Sequence, residues 1–94
     1  MANIALVDDE QSILTSVSLS LESEGFKVDT FLNGLDALNA FNSKSYDLGL
    51  FDIKMPKMDG NELLTKVRAS KIEKLKEMPI IFLTSKDHEQ DEII

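Results

Sequence analysis

The run LGLFDIKMPKMDG, residues 48–60, ends an apolar stretch on one carboxylate, Asp52, and then turns through Pro56 to Asp59-Gly60. An aspartate gives no packing benefit there, so it either closes an Asx turn or does chemistry at a strand end. Two further apolar stretches end in the same way. Ile4–Val7 is followed by Asp8, Asp9 and Glu10, and Ile80–Leu83 by Thr84 and Ser85. Brought together, Asp8, Asp9 and Asp52 would raise one another's pKa and resist ionising at once. A hard divalent cation resolves that conflict, and an all-oxygen set completed by waters suits Mg²⁺. Such an ion also draws in a phosphoryl group and neutralises its oxygens. Asp52 is then the candidate nucleophile, becoming an acyl phosphate, and Thr84 is the candidate donor to a phosphoryl oxygen.

These residues meet only if the fold lines up the strand ends that carry them. Residues 4–7, 48–51 and 79–83 are continuous apolar runs, as expected of parallel strands covered on both faces, while 26–31 alternates like an edge strand. Helical spacing lies between them. Ile13, Leu14, Val17 and Leu21 form one stripe in 11–24, with Gly25 as the stop; Ala37, Leu38 and Phe41 do so in 34–42, and Leu63, Leu64 and Val67 in 61–69. The charged stretch 70–78 reads either as an extension of that last helix or as a loop, and 87–94 as the opening of another helix. Four strand–helix units predict an α/β, doubly wound parallel sheet with right-handed crossovers. In such a sheet the carboxyl ends of the strands share a rim, and ligands bind where the strand order reverses.

Composition narrows the function. The 94 residues make one domain, 43% hydrophobic and 29% charged. A net charge of −7 argues against direct nucleic-acid binding by this segment and suits a cation or a basic protein surface. The absence of cysteine excludes disulfides and thiolate metal sites, and fits a reducing compartment. The N-terminus has neither a signal peptide nor a membrane span. A soluble, cytoplasmic protein is the expectation.

VDDE at 7–10, FDIKMPKMDG at 51–60 and IIFLTS at 80–85 stand in order and at suitable separations. Together they resemble a response-regulator receiver domain of two-component signalling, across the whole chain. The wording around FDIKMP and FLTSKD is similar to ChvI-type regulators of the OmpR/PhoB class. The resemblance implies a flavodoxin/CheY-like strand order 2-1-3-4-5, with Asp52 as phosphoacceptor for a sensor histidine kinase. Asp8, Asp9 and Asp52 would hold Mg²⁺ together with the backbone carbonyl of Lys54, and Thr84 would be the switch hydroxyl. The family continues into a fifth strand, ending in a lysine, and a fifth helix, both missing from this chain. Residues 1–94 therefore read as a receiver domain incomplete at its C-terminus. Its fourth strand would be an uncovered apolar edge, inviting a homodimer or a domain-swapped assembly. The output, transcriptional by analogy, would lie elsewhere.

Plainer readings compete. Asp9 can cap the helix that begins near Glu10. Thr84 can open a turn, and Ser85 and Lys86 can be surface residues. Met55 and Met58 pack the loop around Pro56 more naturally than they ligate. His88 and the run KIEKLKE at 71–77 read as solvated. A receiver-like interaction module that cannot be phosphorylated is the functional alternative. A phosphatase of the haloacid-dehalogenase type would want an aspartate where Lys54 stands.

Overall fold

The computed structural model describes residues 1–83. Thr84, Ser85, Lys86, His88 and the helix expected over 87–94 lie outside the described residues. The elements are β1 (Asn3–Val7), α1 (Gln11–Ser23), β2 (Lys27–Phe31), α2 (Gly34–Phe41), β3 (Leu48–Asp52), α3 (Gly60–Arg68), α4 (Glu73–Lys76) and β4 (Ile80–Leu83). The four strands form one parallel sheet in the order β2-β1-β3-β4. This is the order the resemblance implies.

Alternation along the central strands divides the core between the two faces of the sheet. Ile4, Leu6 and Leu50 pack with Leu14, and with Val17 and Leu21 of the same α1 stripe. Ala5, Val7 and Phe51 face the opposite way, onto Ala37 and Phe41 of α2 and Leu63 and Val67 of α3. Met55 is buried in that second cluster and Met58 packs against it, which holds the loop after β3 down on the core.

Helix ends follow from local chemistry. The Asn33 side chain accepts from Asp36 N–H at 2.8 Å and the Asp59 side chain from Glu62 N–H at 2.8 Å, each capping a helix start. At the other end of α1, Gly25 takes φ 96°. Gly25 N–H donates to Glu22 O at 3.0 Å and Phe26 N–H to Leu21 O at 3.2 Å, the paired bonds of a Schellman stop.

Two expectations change. The stretch 70–78 neither extends α3 nor stays a plain loop, because it forms the short helix α4. Arg68 Nη1 donates to Lys76 O at 2.8 Å and Met78 O at 2.7 Å, tying the end of α3 to the approach into β4. β4 is the outer strand of the described sheet, as the resemblance implied, rather than one covered on both faces as its continuous apolar run suggested. It pairs with β3 alone among the described residues, and Ile81 is 55% exposed.

At Gly25 an added Cβ would meet nothing within 4 Å, so any penalty there comes from the backbone alone. Gly25→Ala should lose about 1–2 kcal/mol, a fall in Tm of roughly 4–8 °C for each kcal/mol in a domain of this size. Urea unfolding with unchanged m-value checks it; an unaltered midpoint would mean that the turn relaxes without strain.

Candidate functional site

Strand pairing builds the site. β1 and β3 run side by side in parallel with Leu6 opposite Leu50 and Val7 opposite Phe51. The next residue of each strand is an aspartate, so Asp8 and Asp52 emerge together at the same rim. Both are buried, at 0% and 1% exposure, while Asp9 is exposed beside them. One carboxylate oxygen from each of the three lies within 4.8 Å of the others. Asp8 N–H donates to Phe31 O at 3.0 Å, extending the β1–β2 ladder by one residue. The Asp8 side chain in turn accepts from Glu10 N–H at 2.9 Å, fixing the turn into α1. The residue that organises this turn is thus Asp8, whereas the competing reading gave a capping role to Asp9. The cap position itself belongs to Glu10, which makes no side-chain capping bond.

Burial dominates the electrostatics. Loss of solvation, then the nearby charge of Asp8, push the Asp52 carboxyl up to about 6, with Glu10 adding a smaller push. Backbone hydrogen bonds from Lys54 and Ile53 pull the other way and do not cancel it. An ionised Asp52 is therefore a high-energy group in this pocket. The donor set fits a hard divalent cation: it is all oxygen, it offers three carboxylates, and Asp9 lies exposed at its edge.

The loop that carries Asp52 into α3 is tightly made. Met58 N–H donates to Pro56 O at 2.7 Å across Lys57, whose φ is 70°. This three-residue turn is one that non-glycine residues seldom adopt. Gly60 N–H then donates back to Ile53 O at 2.8 Å, closing the loop on the strand end. The sequence does not make this closure explicit. Its only trace is the Asp59-Gly60 pair, which reads as an ordinary helix start. Glu10, which adjoins the aspartate pair, also contributes charge felt at Asp52 that its position in the sequence does not announce.

The strand order and the acid cluster at the strand ends define a flavodoxin-like α/β domain equipped to hold a hard cation beside a carboxylate. The profile of the response regulator receiver domain matches residues 4–93, and the chain belongs to that family. It is 43% identical over 91 residues to the probable transcriptional regulator ycf29 of Porphyra purpurea, covering 97% of this chain and 43% of that protein. It is 37% identical over 91 residues to the alkaline phosphatase synthesis transcriptional regulatory protein PhoP of Bacillus subtilis, covering 97% and 36%. The chain thus spans about two fifths of the length of these curated relatives. Among solved structures, the N-terminal domain of a response regulator receiver protein from Methanoculleus marisnigri superposes with a TM-score of 0.85 at 32% identity, covering 98% of this chain and 76% of that one. The chemotaxis protein CheY4 of Vibrio cholerae gives 0.82 at 32%, covering 99% and 78%. None of these relatives points to the ChvI-type subclass in particular.

The raised Asp52 pKa has a definite sign. Between its ordinary value of 3.8 and about 6 the folded chain binds a proton there that the unfolded chain does not. The Asp52 contribution to stability is therefore greatest below that window and is lost as pH rises through about 6. In metal-free buffer, Asp52→Asn should be more stable than wild type at pH 8, with the gap narrowing towards pH 5. Urea midpoints of the two proteins across that range check this. A gap that stays constant with pH would remove the electrostatic account.

Proposed function

We propose that this chain is the phosphoacceptor switch of a two-component system, spanning residues 1–94 as one receiver domain. Asp52 takes a phosphoryl group from a sensor histidine kinase, and the change is relayed to an output domain. A transcriptional output is supported by the names of the relatives, each more than twice the length matched here. The observation that carries the reading is the convergence of buried Asp8 and Asp52 and exposed Asp9, from the ends of two strands, at one rim. In this reading Asp8, Asp9, Asp52 and the backbone carbonyl of Lys54 hold Mg²⁺, and Thr84 is the switch hydroxyl.

The chemistry asked of the chain is modest. An ionised Asp52 oxygen attacks phosphorus, the bond from phosphorus to the donor's nitrogen breaks, and an acyl phosphate remains on the side chain. Mg²⁺, when bound, supplies charge neutralisation for the phosphoryl oxygens. Burial strips solvent from the Asp52 carboxylate, so its hydration shell does not have to be displaced during attack. Asp8, held by Glu10 N–H at 2.9 Å, keeps the neighbouring oxygens in fixed positions. The domain modifies itself and is not a turnover enzyme. Among the described residues no helix is long and apolar enough to cross a membrane.

Incubation with acetyl phosphate and Mg²⁺ should add one phosphoryl group, seen by intact mass. Asp52→Asn and a chelator should each abolish the adduct. Mg²⁺ at ten times its Kd should also stabilise the fold by about 1.4 kcal/mol. Wild type that gains no adduct and no metal stabilisation is a receiver-like interaction module instead, and steady release of phosphate from a small phosphate ester would point to a phosphatase.

The same reading includes self-association through β4, supported by its pairing with β3 alone among the described residues and by Ile81 at 55% exposure. Sedimentation should show a dimer that Ile81→Lys dissociates. A monomer at every concentration would rule this out.

A further inference from the structure

Gly60 opens α3, and its φ is not in the left-handed region, since Gly25 alone among the described glycines has a positive φ. Helix propensity by itself would make alanine the better residue there. The surroundings argue the opposite. A Cβ on Gly60 would be driven into the backbone carbonyl oxygen of Asp52, and would stand 3.0 Å from Ile53 Cα and 3.1 Å from Asp52 C. All three atoms are backbone, so no side chain can swing aside. α3 cannot easily retreat, because Leu63 and Val67 are fully buried in the core. Nor can the strand end move freely, because Ile53 N–H donates to Leu83 O at 3.3 Å and Gly60 N–H to Ile53 O at 2.8 Å.

We propose that Gly60 is a positioning residue for the acceptor. By letting α3 seat directly on the Asp52 peptide, it fixes where the Asp52 carboxylate points relative to Asp8 and Asp9. This rests on the functional reading above. A methyl group at this position presses on the Asp52–Ile53 peptide itself, and any displacement of that peptide carries the carboxylate away from its partners. Gly34 supplies an internal comparison on the other side of the same loop. A Cβ there would approach Met58 Sδ to 2.6 Å, closer than real contacts allow. The obstacles in this case, which include Met58 Cγ at 3.1 Å and Cβ at 3.3 Å, all belong to one flexible side chain rather than to backbone.

The test compares wild type with Gly60→Ala, Gly34→Ala and, as a destabilised control, Val67→Ala. The readouts are the rate of adduct formation from acetyl phosphate in saturating Mg²⁺ and the Mg²⁺ affinity by NMR titration, with folding verified by circular dichroism. Gly60→Ala should form the adduct roughly ten- to a hundred-fold more slowly and bind Mg²⁺ more weakly, while the other two stay within about three-fold of wild type. If Gly60→Ala unfolds at room temperature, the same rates are read in the cold with trimethylamine oxide. A folded Gly60→Ala that matches wild type in rate and affinity overturns the proposal, as does an equal loss in Gly34→Ala or Val67→Ala. If wild type itself forms no adduct, the phosphoacceptor reading fails separately. The Mg²⁺ titration then still decides whether Gly60 sets the carboxylate geometry.

Discussion

The parallel pairing of β1 with β3 is the constraint on which the rest of the molecule depends. It places Asp8 and Asp52, separated by more than forty residues of chain, at the same height on the same rim. Val7 and Phe51, just below them, are fully buried, so the sheet delivers two carboxylates to the edge of a dry core. Hydrophobic burial sets the register, and the register sets the electrostatics. The apolar residues determine where the charges go even though they take no part in the chemistry.

That arrangement loads the site. Burial first, and then the charge of neighbouring Asp8, make ionisation of Asp52 unfavourable, and the upward shift of its carboxyl records that energy. Opposing it is a backbone frame: the Glu10 N–H on Asp8, the bonds from Lys54 and Ile53 on Asp52, and the seating of Gly60 on the strand end. The frame of peptide groups holds the carboxylates where a cation can neutralise them.

Much of this was legible in the sequence because it rests on period and punctuation. Continuous apolar runs gave the central strands, the alternating run gave β2 at the sheet margin, and Gly25 marked the end of α1. The acid cluster could be read because each acid ends an apolar run. Other features arise only in three dimensions. Glu10 gives no local signal of its effect on Asp52, which comes from how α1 starts. Gly60 looks like any small residue at a helix start until the Asp52 carbonyl is seen above it. The reversal at α4 depends on Arg68 reaching Lys76 O and Met78 O, a contact that charge patterning does not reveal. The exposure of Ile81 depends on which strands flank β4, which a run of apolar letters cannot specify.

The polar ties away from the rim sit at the opposite end of the sheet. Asn3 N–H donates to Asp47 at 2.8 Å, Lys44 and Tyr46 donate to Asp29 at 2.8 and 2.6 Å, and Arg68 grips the entry to β4. These side-chain ties at the foot of the sheet are chemically separate from the acid cluster at the rim, so neutralising the rim carboxylates breaks none of them.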